Sequence, residues 1–311
     1  MKVLVTGGTG LVGSALKSIS GDYENYTFFF LSSKDCDLTN YEKTLNLFER
    51  IRPKFVIHLA ANVGGLFKNM NQKVQMYEVN TLINLNVLKC AHEVGVKKCV
   101  SCLSTCIFPD KTEYPIDETM LHNGAPHSSN DCYAYAKRML EVHSKAYKEQ
   151  YGDNFVCVIP TNIYGPVDNF SLEDGHVIPA LIHKCYLAKE RGEDFVVRGS
   201  GSPLRQFIYS TDLAKLMMWV LEKYEEDGSI ILSVGEKDEV SIKDVAMEIG
   251  RSFDYKDRIV FDTAFSDGQY KKTADNHKLM NLIGDFEFIG IEEGIKRSVE
   301  WFVENYEVCR K

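Results

Sequence analysis

The sequence predicts an α/β protein: a doubly wound parallel sheet, followed by a smaller and less regular C-terminal domain. Three observations predict it. Short apolar runs recur through the first half of the chain with helical stretches between them, a glycine-rich turn follows the first run directly, and after Gly165-Pro166 the rhythm loosens into Asp-, Asn- and Gly-rich loops. Runs that are apolar on both faces belong to strands covered on both sides, which is the condition of a parallel sheet flanked by helices.

In chain order the runs are KVLVT (residues 2–6), YTFFFL (26–31), FVIHLA (55–60), KKCVSCLS (97–104) and FVCVIP (155–160). Each has the length and the aromatic or β-branched content of a strand. Amphipathic segments such as residues 80–94 lie between them and predict helices. Farther on, DFVVRG and IILSVG read as isolated strands. The change of rhythm divides the chain into a first domain, 1–162, and a second, 163–311, with some later segments returning to complete the first. No internal repeat, low-complexity tract or flexible linker interrupts the pattern.

Composition narrows the function classes. The 311 residues are 44% hydrophobic and 26% charged, an ordinary balance for a globular protein. A formal net charge of -8 argues against nucleic acid as a partner, because phosphate backbones require clustered positive charge. The apolar start of the chain breaks into glycines and is too short for a signal peptide, and no stretch approaches the ~20 apolar residues of a membrane span. Nine cysteines, an odd number, are expected as reduced thiols in the cytoplasm. Cys99 and Cys102 mimic a metal or redox motif, but on a strand positions three apart face opposite sides, so no metal site is expected there.

Directly after the first run, GGTGLVG places Gly7, Gly8, Thr9, Gly10, Leu11, Val12 and Gly13 at a strand-to-helix turn. A tight turn and close backbone approach to a pyrophosphate both need residues without Cβ, and the helix start offers unpaired N–H groups to the anion. The first domain is therefore expected to be a dinucleotide-binding Rossmann sheet. An NAD-binding chain carries an acidic residue about 20 positions on, for the ribose 2′-hydroxyl. Here the second run ends in LSSKD, and Ser32, Ser33 and Lys34 suit a 2′-phosphate, so NADP(H) is the expected cofactor. Asp35, one residue away, is the observation on the other side.

YAYAK supplies Tyr133 and Lys137 four apart, on one face of a helix. Spacing alone decides little, since Tyr306 and Arg310 repeat it. Tyr133, however, lies between two sheet strands and downstream of Ser104. Taken together, GGTGLVG, Ser104, YAYAK and PTNIYGP resemble the extended short-chain dehydrogenase/reductase family. The resemblance implies that Lys137 holds the nicotinamide ribose and lowers the Tyr133 pKa, that Tyr133 exchanges a proton with the substrate oxygen, and that Ser104 orients that oxygen.

Within that frame LSTCIFP (103–109) acquires a meaning. If extended geometry persists, Ser104 and Cys106 share a face ~6.6 Å apart. With Ser104 on a sugar carbonyl at C4, Cys106 reaches the carbon beside it, whose proton the ketone acidifies, and the thiol serves as base. Epimerisation also needs an acid. A loop histidine is ordinarily a surface hydrogen-bonding residue, but His176, in NFSLEDGHVIP, fits that role beside the Ser-x-Cys pair. The stretches HLAANVGGLF, LSTCIFPDKTEYPIDE, YAKRM, DGHVIPALIHK, RQFIY and FSDGQYKKT extend the resemblance over nearly the whole chain. They narrow it to family members that epimerise GDP-4-keto-6-deoxy-D-mannose at C3 and C5 and reduce it at C4 with NADPH.

That resemblance further implies that Asp37, Leu38, Pro160, Thr161, Asn162, Ile163 and His176 line the cofactor, that Lys184, Arg198, Arg205 and Asp267 meet the GDP-sugar, and that the protein is a homodimer. In the dimer, the helix bearing Met139, Leu140 and Val142 and the helix of residues 80–94 pair across a two-fold axis. One departure stands at Arg198, where family members carry tryptophan. Two other readings remain open: a related nucleotide-sugar 4-epimerase or 4,6-dehydratase, and a non-catalytic NADP-binding protein. A dehydratase of this kind carries Asp-Glu after the serine, where this chain has Thr105-Cys106, and non-catalytic relatives typically lose the tyrosine or the lysine.

Overall fold

The computed structural model describes residues 1–267 and 269–311; Gly268, inside the FSDGQYKKT stretch, lies outside the described residues. The chain forms two compact units. The first comprises Met1–Thr112, Glu118–Pro160 and Leu213–Leu232, and the second Glu113–Asp117, Thr161–Asp212 and Ser233–Lys311.

The first unit begins with β1 (Lys2–Thr6), α1 (Leu11–Ile19), β2 (Thr27–Phe30), α2 (Tyr41–Ile51) and β3 (Phe55–His58). It continues with α3 (Leu66–Asn71), α4 (Lys73–Glu93), β4 (Lys98–Cys102), α5 (Asp131–Tyr151) and β5 (Phe155–Pro160). Every residue of β3 and β5 is buried, which explains why their sequences are continuous apolar runs without alternation. α5 ends where Gly152 takes the left-handed conformation (φ 75°) that closes a helix at little cost.

The second unit contains β6 (Asn162–Tyr164), α6 (Val177–Arg191), β7 (Phe195–Arg198), β8 (Leu204–Arg205) and β9 (Phe207–Tyr209). Helix α7 (Ser210–Lys223) then leads to β10 (Ile230–Leu232), which pairs with β5 and so returns to the first unit's sheet. The remaining elements are β11 (Val240–Ser241), α8 (Ile242–Ser252), β12 (Ile259–Asp262), α9 (His277–Ile283) and α10 (Ile291–Glu304). Three two-stranded pairs, β6 with β9, β7 with β12 and β8 with β11, take the place of one large sheet. Tyr164, Phe170, Phe195, Ile249 and Phe302 lie in the core that joins them.

In the first unit the strand order is β10-β5-β4-β3-β1-β2, and all pairs are parallel. The chain leaves β1 toward β2 on one side and comes back to β3 on the other. Such a reversal opens a crevice at the carboxyl ends of the two central strands, where ligands of open α/β sheets bind. Here those ends carry Thr6-Gly7 and His58-Leu59.

Two expectations need correction. β4 stops at Cys102, and extended geometry does not persist through LSTCIFP: residues Thr105–Ile107 form a 3-10 turn capped by Ser104. The Leu103 amide still donates to Val158 O at 2.8 Å, but two residues later the Cys106 amide donates to Ser104 Oγ at 3.4 Å. A serine side chain competes for a nearby amide in this way, and the competition turns the chain. Leu140, named above with Met139 and Val142 on the helix expected at the dimer axis, faces inward at 1% exposure.

Candidate active site

The glycine loop has the shape a dinucleotide diphosphate needs. Gly7 adopts φ 67°, and a Cβ there would stand 2.8 Å from Ala60 N. At Gly13 a Cβ would stand 2.5 Å from Gly8 Cα and 2.6 Å from Gly7 O, so helix and loop touch backbone to backbone. Gly10 caps α1, whose first turn holds no acidic residue. The amides of Leu11, Val12 and Gly13 therefore start the helix with donors for an anion.

After β2 the chain turns at Ser32. The Asp35 carboxylate accepts from the Ser32 amide at 2.7 Å and from its hydroxyl at 2.6 Å, and these bonds hold the acid below the usual carboxylate range. The acid that could have bound a ribose hydroxyl is engaged within its own turn, and Lys34 stands exposed beside it. Farther on, Asp37 accepts from the Thr39 amide and hydroxyl, and Leu38 O accepts from Asn86 Nδ2 at 2.9 Å.

Ser104, Cys106, Tyr133 and Lys137 all belong to the first unit, where the turn after β4 packs against α5. Two successive basic residues of α5 hold the ends of that segment. Lys137 Nζ donates to Cys102 O at 2.7 Å, and Arg138 Nε donates to Ile107 O at 2.5 Å. Between those anchors sit Ser104 and Cys106. The Lys137 ammonium also lies 5.9 Å from the centre of the Tyr133 ring. Burial foremost, then the Cys106 and Cys102 thiols, push the Tyr133 phenol well above its ordinary value. Lys137 is lowered by burial, which outweighs the opposing pull of the cysteines. Burial sets the direction, and the phenol keeps its proton, as a donor must.

The other eight cysteines are Cys36, Cys90, Cys99, Cys102, Cys132, Cys157, Cys185 and Cys309, and burial is the leading cause that raises every one. Cys90, Cys99, Cys157 and Cys185 reach about 12.

The second unit holds the remaining expected residues except Pro160. His176 caps the start of α6, and its crowded surroundings and Arg310 hold the imidazole below the usual histidine range although its edge reaches solvent. Lys184, two turns into α6, is lowered by burial and then by the Arg198 guanidinium. Neither cation enters an ion pair among the described residues. Two unneutralised positive charges near each other form an arrangement that a diphosphate relieves.

Arg198 stacks on Phe265 with its guanidinium carbon 4.6 Å from the ring centre. The same loop continues to Asp267, which accepts from the Ser200 amide at 2.6 Å, and to Gln269, whose carbonyl accepts from Arg205 Nη2 at 2.8 Å. Behind them Thr161 donates to Ser233 Oγ at 3.1 Å, Asn162 donates to Gln206 O at 2.9 Å, and Ile163 pairs with Ile208. Pro160 ends β5 in the first unit.

Sequence reading missed Arg138 and the buried asparagines of α4. Asn80 grips the loop after β3 in both directions, accepting from Asn62 N at 2.8 Å and donating to Asn62 O at 3.0 Å. Asn86 holds Leu38. The signal was present, since asparagine is a poor helix former and three of them in seven residues of a helix call for a reason.

Residues 3–235 match the profile of the NAD dependent epimerase/dehydratase family. The chain is 58% identical to GDP-L-fucose synthase of Dictyostelium discoideum, over 99% of this chain and 97% of the relative. It is 53% identical to a probable GDP-L-fucose synthase of Drosophila melanogaster, over 100% and 99% respectively. Among solved structures, a GDP-L-fucose synthetase from Naegleria fowleri bound to NADP superposes with a TM-score of 0.96 at 51% identity, covering 100% of this chain and 95% of that one.

Proposed function

We propose a function from one premise: the chain belongs to the NAD dependent epimerase/dehydratase family. It is an NADP-dependent enzyme that epimerises GDP-4-keto-6-deoxy-D-mannose at C3 and C5 and reduces it at C4, giving GDP-L-fucose. The observation that carries this reading is the meeting of Ser104, Cys106, Tyr133 and Lys137 in one unit, in a chain 58% identical to a GDP-L-fucose synthase.

The keto oxygen sits between Ser104 and Tyr133. Cys106, as thiolate, removes the proton from C3 or C5, and the resulting enolate charge rests on that oxygen, where both hydroxyls hold it. His176 returns a proton to the opposite face. NADPH, when bound, supplies the hydride to C4. Tyr133 gives its proton to the C4 oxygen as the alcohol forms, and Lys137 stabilises the phenolate left behind. The cradle of Gly7, Gly10 and Gly13 holds the diphosphate, Lys34 faces the 2′-phosphate, and Lys184, Arg198 and Arg205 bind the GDP. These roles rest on the residues' chemistry and on the family likeness.

Incubation with the keto-sugar and NADPH is expected to consume NADPH and yield the L-fucose configuration, while NADH supports far slower turnover. Lys34→Ala should raise the KM for NADPH and leave that for NADH unchanged. Absence of sugar turnover removes the functional reading, and equal use of the two cofactors by the unaltered enzyme removes the role of Lys34.

The assembly we infer is a homodimer. Val74, Leu82 and Leu85 on α4 and Tyr135, Met139 and Val142 on α5 expose apolar surface on two helices that pack together within one unit. Light scattering should give twice the 35.3 kDa chain mass. A cytoplasmic location is supported by the buried cysteines Cys90, Cys99, Cys157 and Cys185, which stand as free thiols. Among the described residues no helix is long and apolar enough to cross a membrane.

A further inference from the structure

We propose that His58 is a positioning residue for Lys137: a neutral imidazole, locked in one tautomer, that ties the end of β1 at the glycine loop to the turn of α5 carrying the lysine. It ends β3 at 1% exposure, in a run whose other members are apolar. A buried imidazole is costly unless both nitrogens are bonded, and here both are.

The directions of those bonds follow from the hydrogen count. The Ala60 amide donates to Thr6 Oγ1 at 3.2 Å, and the Leu59 amide is shared between Thr6 Oγ1 and Thr6 O, both at 3.2 Å. A hydroxyl has one proton and two lone pairs, so with its lone pairs engaged Thr6 sends its proton to His58 Nδ1, 2.8 Å away. Nδ1 is then an acceptor, and the ring proton resides on Nε2. That nitrogen donates to Asn84 Oδ1 at 3.1 Å, which leaves the Asn84 amide nitrogen to donate to Ala136 O at 3.3 Å. Each link has one donor and one acceptor, and reversing any of them strands a buried group.

The chain ends one residue before Lys137 and begins one residue before Gly7. At Gly7 the packing is against the same Leu59-Ala60 backbone that bonds Thr6, since an added Cβ would stand 2.9 Å from Leu59 C and 2.8 Å from Ala60 N. Burial, then the Lys137 charge, bring the His58 imidazolium down to about 3, outweighing the Asn84 bond. The ring therefore carries no charge near neutral pH and is no proton shuttle. What it contributes is geometry, holding the Ala136-Lys137 turn against the sheet from behind. Cys106 stands on the turn after β4, outside this chain of bonds.

The consequence for catalysis rests on the function proposed above. His58→Phe fills the volume and breaks both bonds, and it should lower NADPH oxidation on the order of 10²-fold, the effect of an ångström-scale misplacement. Solvent deuterium exchange into the sugar at C3 and C5 should fall far less, because Arg138 and the Ser104 cap still hold the turn that carries Cys106. His58→Gln, with one acceptor and one donor, should recover most of the loss. Asn84→Leu should reproduce the defect, and the double variant should be no worse than the poorer single one, because both cut the same chain. Equal loss of exchange and reduction, or normal reduction in His58→Phe with an active parent enzyme, overturns the proposal alone. Nitrogen NMR of ¹⁵N-histidine protein tests it without the sugar: the signal missing from His58→Phe should be an Nε2–H tautomer that does not titrate through neutral pH. An Nδ1–H tautomer, or titration near pH 6–7 as in a free histidine, overturns it even if the substrate proves to be another.

Discussion

Cys106→Ser should abolish deuterium exchange at C3 and C5 while NADPH oxidation continues, so that the product keeps the configuration of the starting sugar at both carbons. The backbone gives the serine no reason to move: the bond that shapes the turn comes from the amide of residue 106, which the substitution retains. Lys137 and Arg138 still anchor Cys102 and Ile107 on either side. What changes is the base. A thiol with an ordinary pKa of about 8.5 gives way to an alcohol that stays protonated in water. Loss of a general base of this kind lowers a rate on the order of 10²–10⁴-fold. Exchange that persists at a near-normal rate would show that the proton leaves by another route and that Cys106 is a bystander.

Tyr133→Phe should do the reverse. Exchange at C3 and C5 survives at a lower rate, because Cys106 and Ser104 remain although the enolate has lost one of its two hydroxyls, while NADPH oxidation falls further, on the order of 10²–10⁴-fold, for want of the proton that the new alcohol needs. The parent enzyme's pH profile supplies a second measurement. Because burial and the neighbouring thiols raise the phenol well above 10, its protonated form, the donor, is present throughout neutral and mildly alkaline solution. Reduction limited by this step should therefore hold level as pH rises through 8 and 9, the range below an ordinary tyrosine pKa of about 10. A fall in that interval that Tyr133→Phe abolishes would mean the phenol is acidic in the working enzyme.

The strands that the sequence made plainest were those with the simplest environment. β1 and β5 match KVLVT and FVCVIP residue for residue, because a strand buried on both faces needs apolar side chains along its whole length. LSTCIFP was harder to read. Its residue types pointed to the chemistry, but whether Ser104 would extend the strand or bend it depended on where its hydroxyl found an amide. Asp35 was ambiguous for a similar reason: a carboxylate one residue from Lys34 could face a ribose or its own turn, and only the bond to Ser32 decides. Asn84 and His58 were visible as types, but neither has meaning before β1, β3, α4 and α5 are side by side. Arg138 went unread, yet it is 5% exposed and reaches the carbonyl of Ile107.

The uniform elevation of eight thiols has a practical side. A cysteine with a pKa of about 12 is present as thiolate, the alkylating form, at on the order of 10⁻⁵ near pH 7. Cys36, Cys102, Cys132 and Cys309 are only partly buried, but they too are less acidic than free cysteine. To an electrophile such as iodoacetamide the folded protein therefore offers a quiet background. Against it, carboxymethylation at residue 106 can be counted by peptide mass, and its rate against pH becomes a direct titration of the one sulfur on which the epimerisation depends.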